Sequence, residues 1–291
     1  MKDLSKILFS LLIVLVLFSA CKEKSETPIK GKLKCYVDKS LYKIIEAEKD
    51  TFLARYPQSQ IDLAPLTARE GIASILNGEI SVFISSRNLN DEETEHFEKI
   101  KQKMQPLRAF KFCYDAVVPV VKENDANNEI TIEEIRNILT GKPSKFKVIV
   151  PENNSGVYEY LKVKFTEKKE LKNVLIVKSE EEVIQKIKTV KNSLGFVGLN
   201  VAQNNKGIKI LEVGIIRSDG EALNYFPYVA YLVSQTYPLI RTTAILINDP
   251  ALGVASGFVS FLTSYEGQKI VSKNNLGPAT VPVKMVELNR R

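Results

Sequence analysis

Two short polar segments combine hydroxyl groups with backbone N–H groups and could together hold a small anion. Ser85-Ser86-Arg87 follows the apolar run 80–84, and residues 152–157 (Glu-Asn-Asn-Ser-Gly-Val) follow the apolar run 147–150. Each segment precedes a predicted helix. The N-terminus of a helix attracts negative charge because its first N–H groups lack intrahelical partners. The pair therefore indicates a receptor for a small anionic solute.

The first 20 residues are typical of a bacterial export signal. A positively charged start precedes an apolar run over residues 7–18, and small residues precede Cys21. The run is shorter than the roughly 20 residues that a membrane-spanning helix needs, so a permanent transmembrane anchor is the weaker alternative. Residues 17–21 resemble a lipobox. That resemblance implies that Cys21 becomes the lipidated first residue. The charged and polar residues that follow, with proline among them, predict that residues 21–31 form a tether.

The composition is that of a soluble globular protein with a basic balance. Hydrophobic residues make up 44% and charged residues 26%, and the formal net charge is +7 at pH 7. A basic balance favours anionic partners of any kind. The lysine-rich stretches 99–103 and 162–172 lie among glutamates, and no recognisable nucleic-acid module accompanies them. We interpret them as solvated helix faces and expect no nucleic-acid partner.

Cysteine and histidine usage argues against metal chemistry and catalysis. Cys35 and Cys113 could form a disulfide in an exported protein, but each lies in an apolar run, where a buried free thiol is more common. No Cys/His cluster has metal-ligand spacing, so we expect no metal and no cofactor. A serine hydrolase would have to use His96, the only histidine, which lies in a charged helical stretch. No Gly-x-Ser-x-Gly motif accompanies any serine, and we expect no enzymatic activity.

The order of predicted elements indicates an α/β fold with mainly parallel sheets flanked by helices. Strands at 33–37, 61–64 and 80–84 alternate with helices at 40–56 and 68–77, which is typical of a parallel sheet. Capping boxes at Asn90/Glu93 and Thr131/Glu134 start helices to about residues 103 and 139. The remaining predicted strands are 110–121, 147–150, 174–177, 194–198, 208–211 and 241–247, and the remaining helices are 156–165, 179–188 and most of 251–275.

Several segments occur together in a characteristic order: Gly71–Gly78, Ser85–Leu89, Ile130–Gly141, Ser155-Gly156, Gly195–Gly198, Tyr237–Arg241 and Phe258–Lys269. In this order they resemble the phosphate-binding components of phosphate ABC transporters. The resemblance implies a two-lobed type II periplasmic-binding-protein fold with the ligand cleft between the lobes. By analogy, lobe I comprises residues 32–117 and 243–291, and lobe II comprises residues 118–242. Hinge closure around the ligand is the implied mechanism.

The same resemblance assigns ligand contacts to Ser40, Ser86, Ser155 and Gly156. Seen alone, these residues allow simpler roles, since serines often cap helices or occupy turns and Arg87 could be a surface ion-pair partner. Three predicted helix N-termini would supply further donors. The full candidate set is Asp38, Lys39, Ser40, Thr67, Ser85, Ser86, Arg87, Asn154, Ser155 and Gly156.

The chain departs from phosphate-specific relatives at several cleft positions. Pro151 and Val157 stand where those relatives place Arg and Thr, and Asp38-Lys39-Ser40 replaces a glycine-serine turn. Ser86 replaces an aspartate that can accept a proton from phosphate. Phosphate is therefore the leading ligand, with a related oxyanion left open. Candidates for the missing cation are Lys39, Arg87 and Arg69.

The leading hypothesis is a monomeric, lipid-anchored solute-binding protein that delivers phosphate or a related oxyanion to an ABC permease. The alternative is a surface sensing or adhesion protein that reuses the binding fold. Its motivation is the altered cleft and the Cys-Lys-Glu sequence at Cys21, which resembles surface-export signals of some Bacteroidetes lipoproteins. Both hypotheses place the protein outside the cytoplasm, and periplasm or cell surface stays open.

Overall fold

A computed structural model describes residues 26–101, 107–217, 220–248 and 253–281. The predicted leader and the lipidation site Cys21 lie outside these residues, as do Lys103, Asp219 and residues 249–252. Among the residues that are described, no helix combines the length and apolarity needed to cross a membrane.

The strands are β1 Gly31–Asp38, β2 Ser59–Leu66, β3 Val82–Ser85, β4 Arg108–Lys122, β5 Glu129–Thr131, β6 Lys147–Pro151, β7 Val174–Val177, β8 Ser193–Gly198, β9 Ile208–Ile210, β10 Glu212–Ile216, β11 Ala222–Tyr225, β12 Ile240–Ile247 and β13 Gly277–Pro278. The helices are α1 Tyr42–Arg55, α2 Ala68–Leu76, α3 Asp91–Lys101, α4 Ile132–Leu139, α5 Gly156–Thr166, α6 Glu180–Thr189, α7 Leu199–Ala202, α8 Val229–Val233, α9 Val254–Thr263 and α10 Tyr265–Lys273, with a 3₁₀ turn at Lys39–Leu41 before α1.

One large sheet runs through the molecule in the order β2-β1-β3-β12-β4-β8-β6-β7. We call β2, β1, β3 and β12 the first half-sheet, and β8, β6 and β7 the second half-sheet. The strand β4 belongs to both, because its first part pairs with β12 and residues Val117 to Val120 pair with β8. Pairing is parallel among β1, β2 and β3 and among β6, β7 and β8. The predicted α/β fold with mainly parallel sheets is confirmed.

Local sequence signals account for most element boundaries. The capping boxes at Asn90/Glu93 and Thr131/Glu134 form as predicted, with hydrogen bonds in both directions between side chain and backbone. The first predicted helix instead opens with the 3₁₀ turn, because the Asp38 side chain accepts a hydrogen bond from the N–H of Ser40. This carboxylate occupies the usual position of a helix N-cap.

The sequence patterns did not predict several short helices and strands. These elements are β5, α7, β10, β11, α8 and β13, none longer than five residues. A segment of that length is too short to show a clear apolar period. The strands β5, β10 and β11 form a separate three-stranded sheet.

Of the three cysteines, the two in the described part of the chain are buried free thiols, which contradicts the disulfide alternative. Cys35 lies on β1 and Cys113 on β4. The Sγ atom of Cys113 lies 3.2 Å from the hydroxyl of Thr243 instead. The apolar runs around both residues had favoured this outcome.

A single carboxyl group on α1 is buried in the core of the first half-sheet. Glu48 is fully buried, and neither of its carboxyl oxygens has a hydrogen-bond partner among the described residues. Burial raises the pKa of Glu48 to about 9, because the charged form loses its hydration. The folded protein therefore keeps this carboxyl protonated near neutral pH, whereas the unfolded chain ionises it.

We predict that Glu48→Gln reduces the decrease in the free energy of unfolding that accompanies a rise in pH from 4 to 9. The folded pKa of Glu48 lies above the unfolded value, so its contribution to stability is complete at low pH and declines as the pH rises towards 9. The slope is up to about 1.4 kcal/mol per pH unit. Urea denaturation at several pH values should show the variant about 2–4 kcal/mol more stable than the parent at pH 8, but not at pH 4.

The matched control is Glu46→Gln, which changes an exposed carboxyl on the same helix. It should leave the pH profile unchanged. A Glu48→Gln profile that parallels the parent profile across this range would contradict the assignment of a buried, protonated Glu48.

Candidate functional site

A buried ion pair lies where the large sheet passes from one half to the other. Arg241 on β12 stands opposite Asp115 on β4, two residues before β4 begins to pair with β8. The two residues are 4% and 0% exposed. The Nε and Nη2 atoms of Arg241 donate to Oδ2 of Asp115 at 3.0 and 2.6 Å. The Nη1 atom has no hydrogen-bond partner among the described residues, so part of a buried cation remains unsatisfied.

Three neighbouring carboxyl groups keep the Arg241 guanidinium positively charged. Burial alone would lower the pKa of Arg241, but Asp115, Glu180 and Asp38 outweigh it and raise the pKa above its ordinary range. Arg241 therefore stays cationic while three carboxyl groups compete for one positive charge. No group of three or more His, Cys, Asp or Glu side chains in the described part of the chain is arranged to hold a metal ion.

Asp38 accepts hydrogen bonds from two of the other predicted ligand residues. Its Oδ1 accepts hydrogen bonds from the N–H and the hydroxyl of Ser40, at 2.9 and 2.7 Å. Its Oδ2 accepts from the hydroxyl of Ser86 at 2.8 Å. Two hydroxyls predicted to bind ligand thus donate to a carboxylate of the chain itself.

Glu180 contributes a carboxyl group from α6, a helix that packs on the second half-sheet. It is the first residue of α6 and accepts a hydrogen bond from the N–H of Gly198 at 2.6 Å. Burial raises the pKa of Glu180 to about 8, against the opposing attraction of Arg241. A Cβ at position 198 would lie 2.5 Å from Nη2 of Arg241, so only glycine lets the guanidinium come this close to the backbone.

Each half-sheet together with the turns and helices packed on it forms one half of the molecule. The two halves touch around this cluster. The amide of Asn200 donates to the carbonyl of Ser40 at 2.8 Å, and Lys39 forms an ion pair with Glu152 at 2.9 Å. A Cβ at Gly156 would lie 2.0 Å from the hydroxyl of Ser86. Between the halves lies a cavity of about 20 Å³, room for roughly one water molecule. We call it the central cavity.

The structure brings together half of the predicted ligand residues in the central cavity. Its lining includes Asp38, Lys39, Ser40, Thr67 and Ser155. Thr67 and Ser155 also cap helices, as the simpler interpretation of Ser155 predicts. Pro151, one of the departures from phosphate-specific relatives, lines the same cavity.

The other predicted residues lie around the central cavity rather than in its lining. Ser86 reaches the cluster through Asp38, and Gly156 packs beneath the Ser86 hydroxyl. The hydroxyl of Ser85 accepts from the N–H of Arg87, and the carbonyl of Asn154 accepts from the N–H of Arg69. Their roles in ligand binding stay predictions.

The structure shows the acidic partners of the three candidate cations, whose roles in ligand binding stay predictions. Arg87 forms ion pairs with Glu93 and Glu159 at 2.7 and 2.5 Å, and the nearest carboxylate oxygen to Arg69 belongs to Glu159 at 3.5 Å. Lys39 lines the cavity but is paired with Glu152, so each of the three candidates has an acidic partner. Arg241 is the buried cation at the cluster. Its signal in the sequence was Asp115, an acidic residue inside the apolar run 110–121.

The exposed position of His96 on α3 argues against the serine-hydrolase alternative. It belongs to a helix whose first turn is acidic, and it does not line the central cavity.

We predict that Gly156→Ala separates the two halves. The added methyl group would collide with the Ser86 hydroxyl, and such overpacking typically costs about 1–3 kcal/mol. Small-angle scattering should show a larger radius of gyration, and denaturation should show a lower free energy of unfolding. Adding Ser86→Gly should recover part of both effects.

The control is Gly253→Ala, since among the described residues a Cβ at that site meets only an ordinary contact at 3.5 Å from Glu26. It should change neither quantity. Equal behaviour of the two alanine variants would contradict the close contact between Ser86 and Gly156.

Comparison with known proteins places the chain in a family. The family described as "PBP superfamily domain" matches residues 22–266. Protein SphX of Synechococcus elongatus is 24% identical over 249 residues, covering 79% of this chain and 72% of the relative. The phosphate-binding protein PstS of Borreliella burgdorferi is 28% identical over 224 residues, covering 70% and 74%.

A solved structure shows the same fold. A substrate-binding protein assigned to a phosphate ABC transporter of Clostridium perfringens, solved with bound phosphate, superposes with a TM-score of 0.73 at 19% identity. The match covers 86% of this chain and 100% of that one. The type II periplasmic-binding-protein fold is therefore confirmed, and the superfamily is one of binding proteins rather than enzymes. The chain belongs to the PBP superfamily.

Proposed function

We propose that the protein is a lipid-anchored, extracytoplasmic solute-binding protein that captures phosphate or a related small oxyanion by hinge closure. It delivers that anion to an ABC permease, acts as a monomer and is held to the membrane through Cys21. Its lobes follow the boundaries 32–117 with 243–291, and 118–242. Relatives named as phosphate-binding proteins support this proposal, and the geometry around Arg241 supports the class of ligand.

The observation that carries the proposal is the unsatisfied Nη1 atom of Arg241. It lies 3.4 Å from the position that a Cβ of Gly156 would take, at the N-terminal end of α5. A buried charged donor without an acceptor is costly, and an oxyanion oxygen would satisfy it. The helix N-terminus favours negative charge at the same point.

The central cavity constrains how the ligand enters. At about 20 Å³ it holds a water molecule but not a tetrahedral oxyanion. Binding therefore requires the halves to part and the Asp38 carboxylate to give up its place beside Ser40 and Ser86. Closure around the anion then restores the contacts between the halves.

The excess of carboxyl groups favours an oxyanion that carries a proton. Asp38 and Asp115 face Arg241, while Glu180 is largely protonated at neutral pH. An oxyanion without protons meets repulsion from Asp38, whereas a protonated one donates a hydrogen bond to it. Phosphate keeps a proton near neutral pH and sulfate does not, so phosphate is the favoured ligand.

We predict that Arg241→Lys weakens phosphate binding about tenfold to a hundredfold. The lysine retains a positive charge but lacks the Nη1 donor, and a hydrogen bond to a charged group contributes about 1.5–3 kcal/mol. Isothermal titration of the purified protein measures the change. Arg55→Lys is the control, because Arg55 pairs with Glu266 on the outside of the first half-sheet.

The titration also tests the proposal as a whole. Phosphate, sulfate and a short phosphate ester are titrated separately into the parent protein. If none of them binds at millimolar concentration, the oxyanion function is wrong. If phosphate binds equally well to the parent and to Arg241→Lys, the binding site lies elsewhere.

A second substitution tests selectivity. Asp38→Asn removes the negative charge, while asparagine still caps the 3₁₀ turn. We predict that the variant loses phosphate affinity and gains measurable sulfate binding, so that the ratio of the two affinities falls at least about tenfold, or 1.4 kcal/mol. An unchanged ratio would contradict the role of Asp38 as proton acceptor.

A further inference from the structure

A second and much larger cavity opens beside α5. Its volume is about 620 Å³, and it shares no lining residue with the central cavity. We call it the side pocket. Sites for small organic molecules are typically about 300–1,000 Å³. The side pocket is therefore large enough for a small organic molecule. The central cavity is too small for one.

The walls of the side pocket come from both halves of the molecule. The segment that follows β3 supplies Leu89, and α5 supplies Val163 and Tyr160. Ile240, at the start of β12, completes the apolar part. The side chain of Val163 is 55% exposed, so its apolar surface faces water. Covering that surface with the body of a ligand would be favourable.

The charges of the side pocket are unbalanced towards positive. Five basic and three acidic side chains line it. Arg87 and Lys162 are neutralised by glutamates at close range. Lys164 forms no ion pair with any residue that the structure describes, and its ammonium group lies 5.8 Å from the centre of the Tyr160 ring.

Unlike Arg87 and Lys162, Lys164 has a positive charge that no described carboxylate neutralises. Burial and the neighbouring charge of Arg136 lower the pKa of Lys164, in keeping with its lack of an ion pair among the described residues. Arg69 adds a second positive group, since its side chain is 63% exposed and its contact with Glu159 is 3.5 Å long. Cationic side chains that can bind an anion and apolar side chains thus lie side by side.

We propose that the side pocket binds an amphipathic organic anion, with its acidic group at Lys164 and its apolar body against Val163, Leu89 and Ile240. The acidic group is a carboxylate, sulfonate or phosphate. This site goes beyond the oxyanion function, because it uses neither Arg241 nor Asp38 and accepts a ligand too large for the central cavity.

Fluorescence titration of the full chain with anilinonaphthalene sulfonate tests the proposal, because this probe combines an aromatic body with one negative charge. We expect saturable binding at a single site. Lys164→Glu should weaken it at least about tenfold, which is 1.4 kcal/mol. Val163→Asp should weaken it similarly. N-phenylnaphthylamine, the neutral counterpart of the probe, should bind more weakly than the sulfonate.

Matched controls separate the pocket from the rest of the surface. Lys169→Glu changes a lysine that is 79% exposed and does not line the pocket, and Leu175→Asp changes an apolar side chain that is 50% exposed on β7. Both controls should bind the probe as the parent does. None of the four side chains belongs to the buried core, so the substitutions leave the core intact.

Two outcomes would overturn the proposal. The first is equal probe affinity in the parent, Lys164→Glu and Val163→Asp. The second is binding of the neutral probe as tight as that of the sulfonate. Phosphate titration of Lys164→Glu should match the parent, so a failure of the side pocket is distinguishable from a failure of the oxyanion site.

Discussion

A buried positive charge is costly unless a negative charge lies beside it. The side chains around the Arg241 guanidinium, between the two half-sheets, meet this requirement. Asp115 on the neighbouring strand takes two of its donors, and the pair lies where β4 changes partners from β12 to β8. Gly198 lets the guanidinium approach the backbone. Truncating either partner of a buried ion pair leaves an uncompensated charge in the interior, so the pair also constrains the path of the two strands.

The same cation explains why carboxyl groups can surround the proposed anion site. Asp38 enters from the first half-sheet and Glu180 from the second, and the attraction of Arg241 partly offsets the cost of burying them. Asp38 accepts hydrogen bonds from the hydroxyls of Ser40 and Ser86. In the sequence, an aspartate after the first strand and a serine after the third appear as two separate departures from the family. In three dimensions they form one hydrogen-bonded pair.

The sequence predicts the architecture well because local rules govern it. Apolar runs, helix caps and the alternation of strands and helices require only neighbouring residues, and the boxes at Asn90/Glu93 and Thr131/Glu134 form as expected. The site is predicted only in part. Arg241 and Asp115 are 126 residues apart in sequence, and no local pattern links them. Arg87 pairs with Glu159 on a distant helix, and no local pattern in the sequence indicates that pair.

The position of a bound oxyanion relative to Arg241 tests the central claim most directly. A crystal structure of the protein grown with phosphate provides it. We predict a phosphate oxygen within hydrogen-bond distance of the Nη1 atom of Arg241, about 2.7–3.0 Å, with Asp38 moved from its present bonds to Ser40 and Ser86 or hydrogen-bonded to the ligand. A phosphate bound elsewhere, with Nη1 still unpaired and Asp38 still holding both serines, would contradict the account.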